Sequence, residues 1–244
     1  MRDRAAKKIG LAIIGAGRVG LFRGEVAMRH PEVAWIGIAE KNPDRAKLVG
    51  DKVKADFITA DYRELLNRPE VNAVIISTDE HLHVDPILHA VERGHSLLIE
   101  KPLATDLADS ARVLLAIEKA GVDAVIGYTQ RFRRRWLAAK EKVQTGSLGD
   151  VTLVTSRAFM NRLVAIDNYR RTDHPHKISP MVISGTHALD IVMWMMEAKT
   201  PVEVYARAVD KALGPEWKGI DATTGMITRS EEHTSELQSQ STIS

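Results

Sequence analysis

The stretch Lys8-Ile-Gly-Leu-Ala-Ile-Ile-Gly-Ala-Gly-Arg-Val-Gly20 decides how the rest of the chain is read. Ile9 to Ile14 is a short apolar run, suited to a strand buried on both faces. Gly15, Gly17 and Gly20 follow at G-x-G-x-x-G spacing, with Ala16, Arg18 and Val19 between them. The three glycines meet different needs. Gly15 makes the tight turn, Gly17 lets a pyrophosphate approach the backbone, and Gly20 lets the next helix pack on the strand. A helix opening near Arg18 points its N–H groups and positive dipole end at the phosphates.

Glycine-rich turns are common, so context matters. A helical pattern, Leu21 to Arg29, follows the turn, and a second strand, Val33 to Ala39, ends in Glu40. A dinucleotide fold places an acid about there to receive the adenosine ribose hydroxyls. The plain alternative is a tight strand–helix turn with Glu40 solvated. A kinase glycine loop would need H-R-D and D-F-G motifs, and the chain has neither. A carboxylate at Glu40 repels a 2′-phosphate, so NAD is expected in preference to NADP, although Lys41 beside it works the other way.

The same strand–helix alternation runs on. Helices are predicted at Pro43 to Lys52, with Asn42 as N-cap, and at Tyr62 to Asn67. Val71 to Ser77 reads as a buried strand, followed by Thr78-Asp79-Glu80-His81-Leu82-His83. A helix from Val84 to Arg93 stops at Gly94. Ser96 to Ile99 is a strand leading into Glu100-Lys101-Pro102. A helix from Asp106 to Ala120 stops at Gly121, and Ala124 to Tyr128 is a further strand. The expectation is a doubly wound parallel α/β sheet over residues 1–128. Ligands bind such sheets beyond the carboxyl ends of the strands. Gly15 to Gly20, Glu40, Ser77, Thr78, His81, His83, Glu100 and Lys101 all fall at those ends, and they form the predicted cofactor site.

From Arg131 the alternation breaks. Arg133 to Thr145 reads as a helix, Val151 to Phe159 as a half-exposed strand, and Asn161 to Pro180 as a long polar loop. Ser184 to Glu197 is a helix, and Val202 to Val209 and Ala222 to Thr228 are strands. Residues 129–228 are therefore expected to form a partial α+β domain. Residues 229–244 have the composition of a disordered tail. Arg229 to Ser239 also resembles the translation of a common DNA sequencing adapter, so the tail is set apart from the fold.

The 244 residues are 44% hydrophobic and 27% charged, with a formal net charge of +2 and no cysteine. That excludes a disulfide framework, a thiolate metal site and a cysteine nucleophile. No run is long and apolar enough to span a membrane, and Arg2 to Lys8 before the first strand only imitates a secretory signal. A cytoplasmic protein is expected.

The glycine turn, Glu40, the Thr78 to His83 turn, Glu100-Lys101-Pro102 and His187-x-x-Asp190 together resemble the Gfo/Idh/MocA oxidoreductases, from about Lys8 to Thr228. The resemblance implies an NAD(P)-dependent enzyme acting on sugars, cyclitols or related polyols. It implies a Rossmann domain followed by a largely antiparallel open sheet that often forms the oligomer interface, so the full-length protein is expected to be a homo-oligomer. Lys101 then matches the lysine that positions cofactor and substrate, with a cis Lys101–Pro102 bond. His187 matches the catalytic histidine, and Asp190 an acid of the same motif. Ile183 stands where family members often carry an aspartate.

Chemically, hydride leaving an alcohol carbon requires the hydroxyl to lose its proton. An imidazole such as His187, at the first turn of its helix, suits that role. Asp190, on the same helix face, would orient it or bind a hydroxyl. Lys101 would hydrogen-bond the reacting oxygen, and Arg131, near the strand end after Tyr128, would touch substrate. A structural histidine capped by Asp190 and a surface lysine are the plain alternatives. Arg131, Arg133, Arg134 and Arg135 lack any nucleic-acid-binding pattern, so no nucleic-acid partner is expected. His81, His83, His174, His176 and His187 lack metal-site spacing, so no metal is expected. The second hypothesis is a non-catalytic dinucleotide-binding protein or an inactive fragment.

Overall fold

The structure, a computed structural model, describes residues 8–172, 175 and 178–230. The chain divides into two units that meet between Gly127 and Tyr128.

The first unit is a six-stranded, all-parallel sheet: β1 (Ile9–Ile14), β2 (Val33–Ala39), β3 (Phe57–Thr59), β4 (Ala73–Ile76), β5 (Ser96–Ile99) and β6 (Ala124–Ile126). Their spatial order is β3-β2-β1-β4-β5-β6, so the order reverses between β1 and β4. That reversal opens a crevice beyond the strand tips. Helices α1 (Arg18–Ala27), α2 (Pro43–Val53), α3 (Tyr62–Leu66), α4 (Val84–Glu92) and α5 (Leu107–Ala120) connect the strands. The expected doubly wound fold is what the chain adopts. β3 went unread because three residues carry no periodicity.

Alternate strand residues feed two cores. Ala12, Ile14, Val74, Ile76, Leu97 and Ile99 pack with α3, α4 and α5 on one face. Leu11, Ile13, Ile36, Ile38 and Ile75 pack with Val49 and Val53 of α2 on the other. Burial on both faces explains the unbroken apolar runs. Each fully buried isoleucine contributes about 2–3 kcal/mol. The helix ends follow their caps: the side chains of Asn42, Asp61 and Asp106 accept amide protons at the starts of α2, α3 and α5, and Gly121, at φ 65°, ends α5.

The second unit contains α6 (Arg134–Gln144), α7 (Arg162–Arg170), α8 (Thr186–Met195), the hairpin β7 (Pro201–Val209) with β8 (Ala222–Arg229), and the short α9 (Gly214–Trp217) between those strands. β7 and β8 pair antiparallel. Lys140 of α6 is buried beneath α8, where its ammonium donates to the Trp194 carbonyl at 2.7 Å and to Glu197 at 2.6 Å. Ala165, Tyr169, Ile178, Ile183 and Leu213 form the local core.

Two expectations fail here, and a third is not reached. Val151 to Phe159 is not a strand: it pairs with no neighbour among the described residues, and Leu153 and Phe159 stand exposed. Alternation cannot hold an extended segment whose backbone groups lack a partner strand. The polar loop expected at Asn161 to Pro180 contains α7. Asn161 caps it by accepting the Leu163 amide at 2.9 Å, and Ala165 and Tyr169 supply its buried face. The tail expected from residue 229 lies outside the described residues from 231 onward, and Arg229 itself closes β8.

Candidate functional site

The β1–α1 turn is built as its glycines require. Gly15 has φ +87°, and a Cβ there would lie 2.7 Å from the Ser77 carbonyl oxygen and the Thr78 amide. A Cβ on Gly20 would lie 2.1 Å from the Gly15 carbonyl oxygen, so α1 sits as close to the turn as a hydrogen atom allows. Gly17 differs: a Cβ there would meet nothing within 4 Å. Its bareness serves open space rather than packing. Among the described residues no side chain caps α1, whose N-cap position is Gly17, in contrast to α2, α3 and α5. The first-turn amides of Arg18, Val19 and Gly20 are thus left to an anion from outside.

The neighbouring strand tips brace this turn. Ser77 Oγ donates to the Gly15 carbonyl at 2.8 Å, tying β4 to the turn. Glu40 accepts the Ala16 amide at 2.9 Å on one carboxylate oxygen and the Asn42 amide at 2.9 Å on the other. Arg45 stands 3.5 Å from the same carboxylate. Glu40 therefore links the loops after β1 and β2, and it occupies the Ala16 amide itself. A carboxylate has further lone pairs for ribose hydroxyls. A cavity of about 330 Å³ opens beside Glu40, lined by Lys41, Pro43, Ala46, Lys47, Ile58 and Thr59.

Thr78 and His81 follow β4. Thr78 Oγ1 and His81 Nδ1 are buried and find no hydrogen-bond partner among the described residues. Buried polar atoms normally have one, so both suit a ligand bearing hydroxyl or amide groups. His83 turns inward: it is 1% exposed, its Nδ1 lies 2.8 Å from the Pro102 carbonyl, and its Nε2 lies 3.2 Å from the Thr78 carbonyl.

Glu100 is held by Arg23 of α1 through a 2.6 Å ion pair. Its carboxyl also packs where a side chain on Gly127 would otherwise lie. The Lys101–Pro102 peptide is cis. Burial pushes the Lys101 ammonium below the ordinary lysine range, while Glu80 and Glu100 pull it back up. Arg23 lies in no sequence motif, and Glu80, although inside the Thr78 to His83 turn, carries no signal there of a part beside Lys101. Only the fold brings Arg23 beneath β5 and Glu80 toward Lys101.

In the second unit, Arg131 and Asp190 meet each other. Arg131 Nε donates to the two carboxylate oxygens at 3.1 and 2.9 Å, and Nη2 donates at 2.6 Å. The guanidinium of Arg131, held further protonated by Asp190, also lies over the Trp194 ring. Asp190 therefore spends its carboxylate on Arg131. Tyr128 packs edge-on against His187 with ring centroids 6.2 Å apart, and its hydroxyl shares a 3.2 Å hydrogen bond with Thr186. Tyr128 lies beyond the end of β6 at Ile126, and no sequence motif marks its part beside His187.

His187 does not stand at a helix start, as the sequence suggested. The backbone is already helical at Pro180 and runs through a π turn, Met181–Gly185, straight into α8. His187 is thus well inside a continuous helix, and dipole effects fade beyond the first turn. Ile183 is buried in the local core. His174 and His176 lie outside the described residues. Among the described residues no cluster of three or more His, Cys, Asp or Glu could hold a metal, and no helix is long and apolar enough to cross a membrane.

Comparison with known proteins agrees with this architecture. Residues 9–128 match the oxidoreductase family with an NAD-binding Rossmann fold, and residues 136–237 match the GFO/IDH/MocA C-terminal domain. An oxidoreductase of Bacillus subtilis, YrbE, is 27% identical over 230 residues, covering 91% of this chain and 63% of its own length. An inositol 2-dehydrogenase of Gluconacetobacter diazotrophicus is 27% identical over 214 residues, covering 84% of this chain and 60% of its own length. The chain thus spans about three fifths of these relatives. Among solved structures, apo scyllo-inositol dehydrogenase from Lactobacillus casei has a TM-score of 0.81 at 17% identity, covering 93% of this chain and 66% of that one. The same enzyme with bound NAD(H) and scyllo-inositol has a TM-score of 0.77 at 18% identity, covering 93% and 68%. The chain belongs to the GFO/IDH/MocA family of oxidoreductases.

Proposed function

We propose that this chain binds NAD(H) on its first unit and takes part in hydride transfer between the cofactor and a secondary alcohol of a cyclitol, sugar or related polyol. The observation that carries the reading is the glycine turn, with Gly17 bare beneath open space and the first turn of α1 uncapped. The orphaned Thr78 and His81 atoms and the cavity beside Glu40 suit the rest of a dinucleotide. Two relatives named as inositol 2-dehydrogenase and scyllo-inositol 2-dehydrogenase (NAD(+)) favour a cyclitol.

NAD, when bound, supplies the hydride acceptor. The amides of Gly17, Arg18, Val19 and Gly20 would hold its pyrophosphate, and Ser77 and Glu40 keep that turn in place. Glu40 would hold the ribose hydroxyls on its remaining lone pairs and disfavour a 2′-phosphate. Lys101 hydrogen-bonds the substrate oxygen and stabilises negative charge as the O–H bond breaks. Partial burial strengthens that interaction. The imidazole of His187 takes the hydroxyl proton during oxidation and returns it during reduction. Asp190 holds Arg131, and that pair fixes α8, which carries His187. Tyr128 orients the imidazole edge-on.

The test is a panel of inositols, sugars and sugar acids with NAD, followed by NADH absorbance, for the wild type, Lys101→Ala and His187→Ala. Turnover in the wild type and loss of at least about 100-fold in each variant is expected. NADH binding with no turnover on any substrate would favour the non-catalytic dinucleotide binder.

A further inference from the structure

We propose that His83 is a positioning residue for Lys101, tying the backbone after the lysine to the loop after β4 and so fixing where the ammonium group stands. The inference rests on Lys101 being the group that binds the reacting oxygen.

The geometry is specific. The two carbonyls that face the ring, of Thr78 and Pro102, follow the neighbouring paired strands β4 and β5. His83 thus crosses from one strand tip to the next, in a place that is 1% exposed. A leucine would fill such a space at no polar cost. A buried imidazole is tolerated only if its N–H finds a carbonyl. The 2.8 Å contact assigns the ring proton to Nδ1, donating to Pro102. Burial holds the ring below the ordinary histidine value, so the neutral ring has one N–H to give, and it goes to Pro102. The tie to the loop after β4 is the covalent place of His83 in that loop. The anchored carbonyl belongs to the residue directly after Lys101. An anchored backbone leaves Lys101 only its side-chain torsions to settle, between Glu80 and Glu100. Displacing a reacting group by about 1 Å can cost about 100-fold in rate.

The test compares wild type, His83→Leu and His83→Asn in the whole chain. Asn carries an amide N–H close to the Nδ1 position, and Leu keeps the bulk without it. With a polyol that the wild type turns over, His83→Leu should lower kcat by about 30-fold or more and leave the NADH Kd within about threefold, and His83→Asn should recover most of the rate. A second readout needs no turnover: labelling of Lys101 by an amine reagent, measured by mass spectrometry against exposed Lys119. The relative rate should change by about fivefold or more in His83→Leu and return toward wild type in His83→Asn. If the wild type turns over nothing, the oxidoreductase reading fails, but labelling still decides the tether. Unchanged labelling in His83→Leu overturns the proposal. If His83→Leu does not fold, His83→Asn is compared with His83→Gln, whose amide reaches toward Thr78 instead. Asn closer to wild type supports the tether to Pro102, and equal values overturn it.

Discussion

Replacing Gly17 by alanine should separate the fold from the cofactor. At Gly17 the backbone has φ −68°, which alanine adopts freely, and an added Cβ meets no atom within 4 Å. The folded protein should tolerate it, and the loss of glycine's freedom in the unfolded chain should stabilise by about 0.4–1 kcal/mol. The same methyl group projects into the space kept for the pyrophosphate. Pushing a phosphate off even one charge-assisted amide contact costs about 1.5–3 kcal/mol. At about 2 kcal/mol, NADH affinity falls about 30-fold. The assay pairs thermal unfolding with calorimetric titration of NADH. Gly20→Ala is the contrast: its Cβ would lie 2.1 Å from a backbone oxygen and 2.9 Å from Ser77 Oγ, so the fold itself should lose about 1–3 kcal/mol or more. If Gly17→Ala binds NADH within threefold of wild type, or loses stability as Gly20→Ala does, the reasoning about this turn is wrong.

Other expectations follow from the same geometry. Because burial lowers the Lys101 pKa, its charge, and with it turnover, should be lost as pH rises through a value below the ordinary 10.5, and Lys101→Arg should move that limb to higher pH. The same cost falls on the folded state while the lysine is charged, so Lys101→Met should raise the unfolding temperature at pH 7 while abolishing turnover. His83 is also depressed by burial. The unfolded state then binds the proton first, so stability falls as pH drops below about 6.5, and His83→Leu should flatten that slope in pH-dependent unfolding. Arg131→Ala strands the Asp190 carboxylate, which is 7% exposed, and should cost about 2 kcal/mol in denaturant unfolding, with Arg131→Met/Asp190→Leu recovering part of it. Ile183→Asp places a charge in the local core and should destabilise by about 3 kcal/mol or more rather than improve catalysis.

The first unit was legible because its signals are local and repeated. Fully buried parallel strands leave apolar runs such as Ala-Val-Ile-Ile at Ala73–Ile76, and capping residues such as Asn42 and Asp106 stand at the helix starts. The glycines could be read one by one because each answers a different constraint, which the three Cβ tests separate. The braces were not legible. Glu40 to Ala16, Arg23 to Glu100 and Arg131 to Asp190 join residues 24, 77 and 59 positions apart. No spacing rule foretells which carboxylate a fold will use as a strut. The second unit misled for the opposite reason. Val151 to Phe159 has a strand's alternation without a partner strand, and α7 hides its apolar face, Ala165 and Tyr169, within a polar segment.

The central claim is that a dinucleotide pyrophosphate rests on the amides at the start of α1. Amide hydrogen exchange of the wild-type chain, with and without saturating NADH, tests it residue by residue. Slowed exchange at Gly17, Arg18, Val19 and Gly20, with lesser protection around Thr78, is the predicted result. Saturating NADH that leaves those four amides unchanged would contradict it.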